Sequence, residues 1–289
     1  MSKNRLRIQL ACRGLGNVGT SVVSALGATP HVETVMAVAR RPTAWTTSKT
    51  TFVTTDIATG DLRAVVRGAD AVIHLAWLFQ PTRKPAATWR NNVLGAIGVF
   101  DAVAAERVHA LVYASSVAAD SPGPSDREVS ENWPTHGWPG AAYPREKAYL
   151  ERWFDAYEIR NSAVRVVRRR PGFIFKRESA TSQRRLFGGP FVPGSLARRA
   201  AVPAVPLPDQ LRVQILHTDD AAAAYVQAVL PPVHGAYNLA TDPPVDRRFL
   251  ADYFGVSERE AACPPHPWLQ TPPAADATKS PPASDAHPE

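Results

Sequence analysis

At 289 residues, with 45% hydrophobic and 20% charged side chains, the chain can bury one large core or two lobes and has the composition of a soluble globular protein. No apolar run approaches the roughly 18 residues of a membrane span, and MSKNRLRIQL at the start shows no signal-peptide core or small-residue cleavage site, so the expected location is cytoplasmic. The net charge of +7 comes mostly from arginines in RVVRRRPG (165–172), SQRRLF (182–187) and ARRA (197–200); no helix-turn-helix or zinc-finger pattern accompanies them, so nucleic acid is not an expected partner.

Taken in chain order, apolar runs that suit buried strands alternate with helix-like stretches. Strands are expected at Arg7–Cys12, Glu33–Ala39, Thr51–Thr55, Ala71–Ala76, Ala110–Ser115 and Ala163–Val167. Helical periodicity marks Asn17–Leu26, Leu62–Arg67, Ala87–Glu106 and Tyr143–Tyr157. This alternation predicts an α/β fold, a doubly wound parallel sheet covered on both faces. After Pro171 the pattern loosens; LRVQILHTDDAAAAYVQAVL (211–230) restores one strand and one helix, followed by GAYNLA and a short helix near Arg247–Phe254. The expected organisation is a Rossmann domain over 1–171, to which 211–230 return, with 172–210 and 231–262 forming a smaller substrate lobe. Residues 263–289 are proline-rich without apolar periodicity and read as a disordered tail. Cys12 and Cys263 are too far apart for a metal motif or disulfide framework, and no histidine–carboxylate spacing suggests metal; His74, His136 and His217 are read as structural.

Three stretches carry chemistry. RGLGNVGTSVV (13–23) follows the first strand and opens a helix, with Gly14, Gly16 and Gly19 spaced as Gly-x-Gly-x-x-Gly. Such a turn brings backbone N–H groups and a helix N-terminus to a pyrophosphate, making Gly14, Gly16, Asn17, Val18 and Gly19 candidate cofactor contacts. In YPREK, Tyr143 and Lys147 lie four apart and share one helix face. A phenol titrates near pH 10, so a neighbouring cation helps it exchange protons. LVYASSVAAD ends an apolar strand in Ser115 and Ser116, at the carboxyl edge where ligands of doubly wound folds bind.

The order of these features, joined by DIATGDL, AVIHLAW, WRNNVLGAIGVFDAV, RRPGFIF and HTDDAAAAY, resembles the extended short-chain dehydrogenase/reductase family in its NAD-dependent epimerase/dehydratase branch, over about residues 5–255. The resemblance implies that Tyr143 transfers a proton, that Lys147 binds the nicotinamide ribose and lowers the tyrosine pKa, and that Ser116 holds the substrate oxygen, with Ser115 lining the same strand end. It places Asp56 and Ile57 beside the adenine, and Leu75 and Ala76 beside the ribose. Asn92 braces the active-site helix, and Pro171, Gly172 and Phe173 run past the nicotinamide. The family's usual Thr-Gly-x-x-Gly-x-x-Gly, aligned on Gly16 and Gly19, puts its first glycine on Arg13; the lobe also turns proline-rich where the family continues with helices.

The second strand ends in VMAVARRP with no acid to accept from a ribose 2′-hydroxyl, whereas Arg40 and Arg41 suit a 2′-phosphate. The expected cofactor is NAD(P), with NADP favoured. The expected function is that of an oxidoreductase or epimerase of a small hydroxylated or carbonyl substrate, such as a nucleotide sugar. Arg170, Arg184, Arg185 and Arg212 are candidate partners of a substrate phosphate, set against plain ion pairs, which are the preferred reading. A small molecule is the expected partner, with a homodimer left open and no membrane partner. The alternative is a non-catalytic NADP-sensing regulator of the same fold.

Overall fold

The computed structural model describes residues 6–11, 16–79, 84–124, 127–179 and 212–246, together with 248, 249 and 252. Seven strands form one sheet: β1 (Leu6–Ala11), β2 (Val32–Ala39), β3 (Thr50–Thr54), β4 (Ala71–His74), β5 (Ala110–Ala114), β6 (Arg165–Pro171) and β9 (Gly235–Leu239). They lie in the order β3-β2-β1-β4-β5-β6-β9, each pair parallel. The order reverses between β1 and β4, so the chain departs in opposite directions there and leaves a crevice at the carboxyl ends of the strands. A separate parallel pair joins β7 (Phe173–Phe175) to β8 (Ile215–His217).

Helices cover both faces, which is why the central strands are apolar without alternation. On one face α1 (Asn17–Ala28) and α6 (Thr218–Val229) pack on Ile8, Ile73, Val112 and Val167. On the other, α2 (Leu62–Val66), α4 (Gly95–Ala105) and α5 (Ala142–Arg160) enclose Val72, Leu111 and Val166. Phe100, Phe154 and Tyr157 are fully buried there, each ring contributing about 1.5–3 kcal/mol by leaving water. None of the described helices is long and apolar enough to cross a membrane.

Three expectations change. The helix expected over 87–106 is divided: α3 (Pro85–Trp89) passes into a π-helical turn, Arg90–Leu94, closed by the Gly95 N–H donating to the Arg90 carbonyl, before α4 begins. The sixth strand runs on to Pro171, through three consecutive arginines, because each charge finds a place. Arg168 and Arg170 face Glu151 of α5, and Arg169 stacks on Tyr237 at 4.5 Å; at the start of the strand, Arg165 donates to the Ala228, Val229 and Val233 carbonyls at the end of α6 and just beyond it. Finally, GAYNL is expected in the small lobe within 231–262, but Gly235–Leu239 hydrogen-bonds to β6 as the edge strand of the main sheet. Residues 180–211, most of the expected helix near 247–254, and the 263–289 tail lie outside the described residues.

Candidate active site

Parallel registry brings the strand ends to one level, so the residues that follow them share an edge. Arg40 follows β2, Asp56 lies just beyond β3, Leu75 and Ala76 follow β4, Ser115 and Ser116 follow β5, and Gly172 follows β6. Arg40, Asp56, Ile57 and Ala76 meet on one open cleft of about 340 Å³, whose other walls include Trp77, Leu78 and Asn92. Arg41, next along the chain, is exposed, and Leu75 packs against the core. Asp56 shapes its wall by accepting from the Ala58 N–H at 2.9 Å, so one carboxylate oxygen is already engaged.

Gly14 and Arg13 lie outside the described residues. From Gly16 onward the turn is defined. Gly16 caps α1 without a side chain, no acid occupies the first helical turn, and a Cβ built on Gly16 would meet nothing within 4 Å among the described residues. An uncapped helix start beside open space is a cradle for an anion. Val18 packs on the core and Gly19 is buried inside α1's contact with it. Asn17 has a different occupation: its amide donates to the Ile174 carbonyl at 3.2 Å and its oxygen accepts from the Thr218 hydroxyl at 3.1 Å. The side chain thus fastens α1 to β7 and α6.

Tyr143, on the first turn of α5, places its phenol beside the Ser116 side chain, the group that favours its ionised form. Ser116 itself accepts from the Ala118 N–H at 3.1 Å, which fixes its rotamer at the strand end. The Tyr143 ring lies between Phe79, stacked at 5.2 Å, and the edge of Trp77 at 5.6 Å. Burial in this aromatic setting pushes the phenol up to about 12, only partly offset by the Ser116 side chain. The family resemblance implies that Lys147 lowers it; the Nζ sits 5.8 Å from the Tyr143 ring centroid, and the upward shift comes from desolvation by burial. The ammonium donates to the Ala114 carbonyl at 2.6 Å and lies 3.6 Å from the Trp77 ring centroid. Burial holds the Lys147 pKa well below its ordinary value, against the opposing pull of Glu151 and Glu146.

Ser115 is buried near Glu151. Pro171 closes β6; beyond it, Gly172 passes so close to the Gln214 carbonyl that a Cβ would collide with it, and Phe173 is exposed. Asn92, buried in the π-helical turn, accepts from Leu78 N–H at 2.6 Å and donates to Leu78 O at 3.0 Å and Glu146 Oε2 at 2.7 Å.

Arg170 is not available to a phosphate. It is buried and engages both oxygens of Glu151, at 3.0 and 2.8 Å, as well as Asp120 at 3.2 Å. Arg184 and Arg185 lie outside the described residues, and Arg212 is exposed. His74 is buried between Phe100 and Tyr113, where burial drives its pKa down to about 3 and keeps the ring neutral. His136 bonds Ser121, and His217 caps α6 by accepting from the Asp219 N–H. Among the described residues, no cluster of three or more His, Cys, Asp or Glu could hold a metal.

Sequence reading missed Trp77, Phe79, Glu146 and Glu151 as parts of the site. Glu151 had a signal, four residues beyond Lys147 and opposite an arginine-rich strand; the aromatics had none, because nothing local says that they face Tyr143.

No curated protein matches the chain. Among solved structures it is similar to a UDP-N-acetylglucosamine 4-epimerase of Methanobrevibacter ruminantium in complex with UDP-N-acetylmuramic acid, at 17% identity and a TM-score of 0.71 over 89% of this chain and 86% of that one. It is also similar to the UDP-glucose 4-epimerase of Thermus thermophilus in complex with NAD, at 21% identity and 0.67, over 88% and 85%. A short-chain dehydrogenase/reductase superfamily protein of Agrobacterium tumefaciens with bound NAD aligns at 22% and 0.69, over 88% and 85%. These likenesses speak to the fold. The family itself is decided by sequence: the profile of the NAD dependent epimerase/dehydratase family matches residues 14–240. The chain belongs to the NAD-dependent epimerase/dehydratase family of enzymes.

Proposed function

We propose that the protein is an NADP-preferring epimerase or oxidoreductase of a small hydroxylated or carbonyl substrate, a nucleotide sugar being the favoured class. The observation that carries this reading is the Tyr143 phenol beside Ser116 at the carboxyl end of β5, with the Lys147 Nζ buried one helical turn along and 5.8 Å from the Tyr143 ring centroid. The uncapped start of α1 and the cleft between Arg40 and Asp56 fit a dinucleotide's phosphates and adenosine end. Arg40 and the adjacent Arg41 would pair with a 2′-phosphate, Asp56 and Ile57 would flank the adenine, and Lys147 would hold a ribose hydroxyl. When bound, the nicotinamide supplies a hydride acceptor or donor.

Tyr143 then moves the proton at the substrate oxygen. A phenol pushed up to about 12 is fully protonated near neutrality, so the free enzyme is poised as a proton donor. Ser116, its hydroxyl fixed by Ala118, holds that oxygen within reach of the phenol. Trp77 and Phe79 bracket the tyrosine ring and orient its phenol. The NAD-bound and nucleotide-sugar-bound relatives support the cofactor and substrate classes; the arginines at the end of β2 support NADP. We further propose a substrate lobe formed by 172–210 with the part of 231–262 outside Gly235–Leu239, and a cytoplasmic location.

The test is titration with NAD and with NADP, followed by a screen of nucleotide sugars and small carbonyl compounds read at the reduced-nicotinamide absorbance or, for epimers, by product analysis. Tighter NADP binding with turnover that depends on Tyr143 upholds the reading. Tight NADP binding with no turnover across the screen transfers it to the sensor alternative.

A further inference from the structure

Glu146 sits between the residues that the reading above puts to work. It lies one residue before Lys147 and three after Tyr143 on α5, and its side chain is buried, only 4% exposed. A carboxylate so enclosed needs partners, and this one accepts from the Asn92 amide at 2.7 Å. Asn92 in turn grips both backbone groups of Leu78, accepting from its N–H and donating to its carbonyl. Leu78 is flanked by Trp77 and Phe79, the two rings that bracket Tyr143, and Trp77 also carries the Lys147 ammonium on its face. The contacts therefore close a circuit from Glu146 through Asn92 and Leu78 back to Tyr143 and Lys147.

We propose that Glu146 is a positioning residue of this site: through Asn92 it fixes the Trp77–Phe79 segment around Tyr143, and its carboxylate is a counter-charge to the Lys147 ammonium. The proposal rests on the reading of Tyr143 and Lys147 as the working pair. Its electrostatic half follows from what surrounds Lys147. From β4 and β5 the ammonium meets neutral His74 and the Tyr113 ring; from its own helix it meets Tyr143, Glu146 and Glu151. Glu151, although engaged by Arg168 and Arg170, is the larger of the two acid influences on Lys147, with Glu146 the second. Glu146 has no ion-pair partner of its own among the described residues and favours the charged lysine against burial. The π-helical turn supplies the geometry, since it carries Asn92 inward to meet both Glu146 and Leu78.

Two measurements on the free, full-length protein test this without a dinucleotide. Amide hydrogen exchange reports how firmly Leu78 is held. Competitive acylation of Lys147 with acetic anhydride from mildly acid to alkaline pH, read by peptide mass spectrometry, reports its protonation. Glu146→Gln keeps an acceptor for Asn92 and removes the charge; it should leave Leu78 protected and move the Lys147 labelling midpoint down by about one pH unit. Glu146→Ala should move the midpoint similarly and speed exchange at Leu78 by about tenfold. An unchanged midpoint in Glu146→Gln, or wild-type protection of Leu78 in Glu146→Ala, overturns the proposal. Should the alanine variant fail to fold, the midpoint in the glutamine variant decides alone. A protein that passes both measurements but binds neither NAD nor NADP refutes the cofactor reading while the Glu146 circuit stands.

Discussion

The Lys147 Nζ lies 3.6 Å from the centroid of the Trp77 ring while donating to the Ala114 carbonyl at 2.6 Å, so one ammonium joins the exits of β4 and β5. A desolvated cation over an indole is worth about 2 kcal/mol, and truncating a buried tryptophan costs about 3–5 kcal/mol in all. Trp77→Ala should therefore lower unfolding free energy by several kcal/mol, whereas Trp77→Phe keeps an aromatic face and should lose distinctly less. Urea titration separates them; equal losses would show that the ring face does not hold the lysine.

Tyr143→Phe keeps the ring between Trp77 and Phe79 and removes only the hydroxyl beside Ser116. Turnover should fall by about 10²–10⁴-fold, with dinucleotide affinity and melting temperature nearly unchanged. Near wild-type turnover in this variant would remove Tyr143 from the mechanism.

His74 sets an acid limit. Its pKa falls from 6.5 unfolded to about 3 in the folded chain, because burial disfavours the imidazolium. Between those values the unfolded chain binds the extra proton, so stability is fully present above about 6.5 and is lost as pH falls toward 3. Asp120, pushed up to about 6, acts in the opposite sense over the upper part of that window. His74→Leu should flatten the acid limb and cost less than about 1.5 kcal/mol at neutral pH, since neither ring nitrogen has a hydrogen-bond partner to lose among the described residues. Thermal melts of both proteins across pH give the comparison; parallel acid limbs would rule His74 out as the cause.

Glu151 holds Arg170 through two contacts and Arg168 through a third. Removing one partner of a buried pair leaves an uncompensated charge, so Glu151→Gln should cost about 3–5 kcal/mol. Denaturant unfolding checks this; a loss below about 1 kcal/mol, typical of exposed pairs, would show that Asp120 alone satisfies Arg170.

The double change Arg40→Asp with Arg41→Ala should turn preference from NADP toward NAD, because a carboxylate on that cleft wall repels a 2′-phosphate and accepts from a 2′-hydroxyl. The ratio of the two dissociation constants should change by at least about tenfold, or about 1.4 kcal/mol. An unchanged ratio would dismiss Arg40 and Arg41 as the discriminating pair.

Most of the sheet was legible in sequence because a parallel strand buried on both faces leaves an unbroken apolar run, as Ala71–His74 and Ala110–Ala114 show. Arg168–Arg170 hid the end of β6, since local pattern cannot anticipate that Glu151 and Tyr237 will receive those charges. Gly235–Leu239 follows a helix and a loose connection, and only pairing with β6 distinguishes it from a strand of the lobe. Within the site, the strand ends and the Tyr143–Lys147 spacing were readable, because periodicity determines which residues share an edge or a helix face. Asn17 looked like part of a phosphate turn, yet its amide serves Ile174 and Thr218, contacts 157 and 201 positions away. Glu146 was unreadable for a similar reason: its meaning depends on Asn92, which a π-helical turn carries inward.

The hydroxyl of Thr218 that completes Asn17 has consequences for synthesis. A nascent chain exposes the glycine turn early, but the partner that fastens α1 emerges 201 residues later. Strand β6 likewise remains an open edge until Gly235–Leu239 arrives. Contacts of such long range are slow to form and leave unpaired edges in the meantime. Asn17 is therefore locked long after it is made, and products truncated before β8 should depend on chaperones to stay out of aggregates.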